Sequence, residues 1–137
     1  GGMLVCRILE QSPEVIQEVS TLVIQAQSDL CEVRKMIHKI GFFIEKEKFC
    51  MDAGKPYLVM RAVRGEEKTP YEPAEYEYGR LLPEAGDAAY LSYLLDERDK
   101  KMKLQETLKM QKTSGAGVRV EELTEEITGL NWILNKF

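Results

Sequence analysis

Gln25, Gln27, Ser28 and Asp29 stand at the end of the apolar run LVIQAQSD, where a strand gives out before a helix begins. A side-chain amide donates and accepts at once, as a purine edge or a substrate amide requires. In open parallel α/β sheets, ligands bind beyond the carboxyl ends of the strands, where backbone donors and helix N-termini converge. Position alone fits a solvated turn as well as it fits a site. Gly1 and Gly2, ahead of a helix, could let a ligand approach the backbone closely, although two leading glycines also fit a remnant of cloning.

Other chemistries find little support. His38 is the single histidine, so no Ser/His/Asp set can be assembled, and no GxGxxG, P-loop, nucleophile elbow or HExxH is present. Cys6, Cys31 and Cys50 are odd in number and widely spaced, which excludes a disulfide framework and a CxxC motif and predicts buried structural thiols. His38 lies seven residues after Cys31, but two ligands do not make a metal site, and a partly exposed helix histidine is expected. The formal charge of -4 argues against a chain covered in phosphate-binding surface. Its distribution is uneven: Arg98 to Lys112 holds six cations against two anions, while the acids gather at 66–87 and 121–126. That basic stretch fits either a phosphate track or a solvated helix face.

The elements that position these residues follow from the pattern. Met3–Glu10 and Pro13–Val19 read as short helices, the second opened by proline. Thr21–Gln25 is β-branched and aliphatic with little alternation, as in a parallel-sheet strand buried on both faces. Asp29 with Glu32 predicts a capping box for a helix that buries Leu30, Val33, Met36, Ile37 and Ile40 and ends at Gly41. Phe42–Met51 and Tyr57–Arg64 predict two strands joined tightly through DAGK, the last strand running against the rest of the sheet. Residues 66–86 are acidic and broken by prolines, which predicts a surface linker that docks through Tyr78, Leu81 and Leu82.

From the Asp87 N-cap nothing breaks a helix for roughly 26 residues, about 39 Å. Its expected partner carries Val120, Leu123, Ile127, Leu130, Leu134 and Phe137 at alternating steps of three and four, a coiled-coil stripe. Leu91, Leu94, Leu95, Met102, Leu104 and Leu108 are expected to answer it across a short Ser-Gly-Ala-Gly loop. No run of 18 apolar residues and no signal-peptide pattern occurs, which predicts a cytoplasmic protein without a membrane partner.

In this order the segments resemble the C-terminal part of the bacterial tRNA adenine N1-methyltransferases that modify adenine 22, over about Gly1 to Met110. GGMLVCRILE is similar to the end of that family's Gly-Met-Gly-Gly motif and its following helix. Leu22 to Gln27 resembles its Leu-Ile-Leu-Gln-Pro-Asn turn, with Ala26 and Gln27 standing where the family has proline and asparagine. Val33-Arg34, Ile40-Gly41-Phe42, Gly54-Lys55 with Pro56-Tyr57, EYGRLL and YLSYLLDERDKK resemble its later elements.

The resemblance implies an α/β fold: a partial Rossmann-like methyltransferase sheet, made of the last three strands with a terminal antiparallel hairpin, followed by an antiparallel coiled-coil helical hairpin. Residues 1–65 would be the second half of the methyltransferase domain, 66–86 a linker and 87–137 the hairpin. It further implies methyl transfer from S-adenosylmethionine to an adenine N1 of tRNA. Gly1 and Gly2 would line the cofactor and transfer pocket, with Gln25 and Gln27 at its rim. Lys100, Lys101, Lys103 and Arg119 would contact tRNA phosphates. The glycine-rich cofactor loop and the ribose-holding acid of such enzymes are not found here, so the piece alone is expected to be inactive. An apolar sheet edge along Thr21–Gln25 predicts self-association. The alternative is a non-catalytic module presenting its hairpin to a protein partner.

Overall fold

Gly2–Glu10 forms helix α1, and Pro13 opens the short helix α2 (Pro13–Glu18), its missing N–H falling where a first-turn donor has no helical partner. Strand β1 (Thr21–Ala26) leads through a turn into α3 (Leu30–Lys39), which ends as expected at Gly41, in the left-handed region at φ 88°. Strands β2 (Phe42–Asp52) and β3 (Lys55–Arg64) meet across the two-residue loop Ala53-Gly54. Both loop residues have positive φ, 50° and 78°, the arrangement whose twist suits a hairpin. The computed structural model describes residues 1–137 and divides them into two compact units, Gly1–Leu82 and Pro83–Phe137.

In the first unit the sheet order is β1-β3-β2, with both pairings antiparallel, so the last strand does run against the other two. Ile24 and Ala26 of β1, Ile44 of β2 and Leu58, Met60 and Ala62 of β3 share the buried face, covered by Val33 and Ile37 of α3. Burying each larger side chain contributes about 1.5–3 kcal/mol. The prediction of a β1 buried on both faces fails, because Val23 is 72% exposed. Helices cover one face only, and β1 pairs with β3 alone, leaving its outer edge unpaired.

An irregularity in β2 decides which of its side chains face the core. Ile44 pairs with Ala62 but Lys46 pairs with Arg61, so Glu45 is an extra, bulged residue. A bulge reverses the alternation of side chains along the strand. Phe42 and Ile44 face inward before it, and Glu47 faces inward after it. Lys46 and Lys48 are thereby kept in solvent.

Two further expectations are corrected. The Asp29–Glu32 capping box does not form, because Asp29 sits in the left-handed region (φ 53°, ψ 37°) and its side chain makes no cap bond. Residues 66–86 do not form a plain linker: they hold α4 (Pro73–Tyr78) and α5 (Leu81–Ala85), and Tyr71, Glu75 and Leu82 are buried. Here the Glu72 N–H donates to Glu75 Oε1 at 2.8 Å, closing the first turn of α4.

In the second unit, α6 (Ala88–Lys109) begins at the predicted N-cap, Asp87, whose Oδ1 accepts the Tyr90 N–H at 2.9 Å. Helix α7 (Ser114–Leu134) starts earlier than expected, since Thr113 Oγ1 accepts the Ala116 N–H and the Ser-Gly-Ala-Gly segment is its first turn. The two run antiparallel: Arg98 donates to Asn131 Oδ1, Lys101 pairs with Glu126, and Gln105 donates to Thr124 Oγ1 and the Val120 carbonyl. Leu94, Leu123, Leu130 and Ile133 are fully buried, and at the base Tyr90 lies against Phe137. Leu95, Met102 and Leu104, expected in the stripe, are exposed, because glutamine, lysine and arginine occupy the facing positions towards the tip.

Candidate functional site

The turn between β1 and α3 meets the start of α1. Gly1 is the N-cap of that helix and Gly2 is buried, its N–H donating to Ser28 Oγ at 3.4 Å. A Cβ on Gly2 would stand 2.2 Å from the Ser28 carbonyl oxygen, 2.9 Å from Val33 Cγ2 and 3.1 Å from Asp29 Cβ. One on Gly1 would fall 2.5 Å from Ser28 Oγ. The obstacle at Gly2 is backbone, so no side chain is admitted there. Gly2 is therefore a residue that the fold needs, whereas the obstacle at Gly1 is a rotatable hydroxyl.

Gly1 and Gly2 are thus brought against Ser28 and Asp29. Gln25 and Gln27 border the same turn with exposed side chains, and Gln25 pairs with Val59 on the sheet face away from α3. Asp29 is exposed, and its carboxylate is the only one between Gln25 and Leu30. Lys100, Lys101, Lys103 and Arg119 belong to the other unit, and each is ion-paired there. Lys100 meets Asp96 at 3.0 Å, Lys103 meets Asp99 at 2.9 Å, and Arg119 meets Glu122 at 3.0 Å. Hydrogen bonds to these carboxylates hold all three cations above their usual pKa.

Behind the turn lies a buried polar cluster that the sequence did not disclose. Arg34, fully buried on α3, donates from Nε and Nη2 to Glu47 Oε1 at 3.2 and 2.9 Å, and from Nη1 to the Tyr76 and Glu77 carbonyls at 2.8 and 3.0 Å. It ties α3 to β2 and to α4. Beside it, His38 is bonded at 2.7 Å through one ring nitrogen to Tyr76 Oη and through the other to Glu67 Oε2. That Glu67 oxygen also accepts the Ile44 N–H. Arg80 joins Glu75 to the Thr69 and Pro70 carbonyls and lies over the Tyr71 ring. The only sequence signal was an arginine on the apolar side of a helix. Its partner Glu47 faces inward only because of the bulge at Glu45, which sequence patterning did not reveal.

The thiols offer no nucleophile at this site. Burial raises Cys6, with the Glu32 and Asp29 carboxylates adding to it, and burial beside Glu77 raises Cys31. Cys6 is buried as expected, Cys31 is half-buried, and Cys50 is exposed, contrary to expectation, because it lies near the free end of the hairpin. No three His, Cys, Asp or Glu side chains are grouped to hold a metal ion. No helix is long and apolar enough to cross a membrane.

Comparison with known proteins gives this geometry a context. Residues 1–131 match the family model described as tRNA (adenine(22)-N(1))-methyltransferase. Among solved structures, an uncharacterized Listeria monocytogenes protein superposes with a TM-score of 0.90 at 20% identity, over 98% of this chain and 59% of its own. The B. subtilis M1A22 tRNA methyltransferase TrmK does so with a TM-score of 0.83 at 20% identity, over 98% and 59%. M. capricolum TrmK, in complex with S-adenosyl-homocysteine, gives 0.79 at 16% identity, over 99% and 57%. At these identities the likeness establishes the shared fold. The chain spans somewhat under three fifths of the length of each of these structures. A search of curated sequences gives no match.

Proposed function

Because the chain belongs to the tRNA (adenine(22)-N(1))-methyltransferase family, we propose that it forms part of an enzyme that methylates N1 of adenine 22 in tRNA, with S-adenosylmethionine as methyl donor. The observation that carries this is the contact of Gly1 and Gly2 with the Ser28–Asp29 turn, which unites the two segments expected to line the transfer pocket. When bound, the donor supplies an electrophilic methyl on a sulfonium. Adenine N1 is neutral and has its own lone pair, so no base is needed, in keeping with a turn that holds no histidine and no low-pKa thiol. Orientation and exclusion of water then supply most of the rate enhancement. Gln25 and Gln27 are the residues able to read the purine edge at the rim.

The order β1-β3-β2 is what the closing strands of a Rossmann-like sheet would leave when seen without their neighbours. On this reading residues 1–65 are the second half of the methyltransferase domain, 66–86 a folded connection, and 87–137 a hairpin of coiled-coil type. The unpaired edge of β1 would be covered by further sheet or by a second copy of the chain. An enzyme acting on tRNA would work in the cytoplasm.

Lys100, Lys101, Lys103 and Arg119 would bind tRNA phosphates by exchanging partners. Exposed ion pairs such as theirs contribute only about 0–1 kcal/mol, so a phosphate displaces the carboxylate at little cost. The direct test incubates the full-length protein with labelled S-adenosylmethionine and unmodified tRNA and digests the product to nucleosides. Label in 1-methyladenosine supports the function, whereas label in another nucleoside, or none, overturns it.

A further inference from the structure

We propose that Asp29 stabilises the positive charge that develops on the adenine ring during transfer. This role rests on the methyl-transfer function proposed above. As the adenine N1 lone pair forms the N–CH3 bond, the C–S bond breaks and its electron pair goes to sulfur. Positive charge therefore leaves the sulfonium and arrives on the base, spread over N1, C6 and the exocyclic nitrogen. A carboxylate beside the ring interacts more strongly with that cation than with neutral adenine, and only such a difference accelerates the step.

The chain places one carboxylate in the turn that meets Gly1 and Gly2. Asp29 lies against Gly2, with 3.1 Å from its Cβ to the point where a Gly2 Cβ would stand, and comes two residues after Gln27 at the rim. Its type and position predict an N-cap for α3, yet the side chain makes no cap bond, so the carboxylate is not committed to the helix that it precedes. It is exposed and makes no ion pair. Glycine or asparagine would take the left-handed backbone more readily than aspartate, so the conformation alone does not ask for a carboxylate.

Asp29→Asn and Asp29→Gly keep or ease that backbone while removing the charge, and Asp29→Glu keeps the charge. In the full-length protein, the first two are expected to lower kcat about 100-fold, with S-adenosylmethionine binding within about twofold of wild type and Asp29→Glu partly active. A second readout needs no turnover. Wild type should bind tRNA already methylated at N1, which carries the cationic base, about tenfold more tightly than unmethylated tRNA, and Asp29→Asn should lose that preference. Asn and Gly variants that retain both full kcat and the preference would overturn the role of Asp29. Absence of transfer to adenine N1 by wild type would instead overturn the function on which the role rests.

Discussion

At the residue scale, the Arg34–Glu47 pair decides whether the turn and the segment after β3 are held to one body. Both side chains are wholly buried, and removing one leaves the other without its counter-charge. Glu47→Ala should therefore destabilise the protein by about 3–5 kcal/mol in urea unfolding, whereas replacing Arg34 and Glu47 together by Met and Leu should cost less than either single loss. A double replacement as harmful as the sum of the singles would show that the pair is not the unit. Tyr71 poses the opposite case, since its hydroxyl is buried without a hydrogen-bond partner. Burial pushes its pKa well above the usual tyrosine value, with the Glu67 and Glu47 carboxylates adding to that. The folded state thus holds this proton more tightly than the unfolded chain. The corresponding stability is complete below pH about 10 and is lost as pH rises through the alkaline range. Tyr71→Phe should raise stability by about 1 kcal/mol at neutral pH and flatten its decline above pH about 10, as followed by thermal unfolding across pH. A destabilised Phe variant would contradict a partnerless hydroxyl.

At the element scale, the bulge in β2 is what makes that cluster possible. Deleting Glu45 would remove the bulge and let Ile44, Lys46 and Glu47 alternate simply, with Lys46 still opposite Arg61 and Glu47 still opposite Met60 on the buried face. Circular dichroism and hydrogen exchange should show a native sheet both in the deletion and in Glu45→Ser, and loss of the hairpin in the deletion would refute the register argument. The same contrast separates what the sequence could disclose from what it could not. Strand lengths, the Ala53-Gly54 turn, the Gly41 stop and the Asp87 cap are local, and their residue types announced them. The bulge depends on pairing across the sheet, and the inward turn of Arg34 on partners in β2 and α4, which no local pattern encodes. In the hairpin the α7 stripe was legible as leucine and isoleucine, but its α6 partner uses Lys101 and Gln105, which a search for apolar residues passes over. The candidate turn was visible as polar residues ending a strand, while its union with Gly1 and Gly2 required the fold.

At the scale of the whole molecule, one unit carries the candidate transfer turn, and the other a helical hairpin whose candidate phosphate-binding cations are satisfied by its own acids. Charge reversal at Lys100, Lys101 and Lys103 should weaken tRNA binding by the full-length protein and make the slope of log affinity against log salt shallower by about 0.9 for each phosphate no longer neutralised. Unchanged binding and slope would move the hairpin to a protein-docking role. The central claim is narrower, that the methyl goes to N1 of adenine 22, and substituting single atoms of that base tests it most directly. Transcripts carrying 1-deazaadenosine or 7-deazaadenosine at position 22 would be offered to the full-length protein with labelled S-adenosylmethionine. Label should enter the 7-deaza tRNA and be absent from the 1-deaza tRNA, which lacks the accepting lone pair. Equal labelling of the two would contradict N1 as the acceptor.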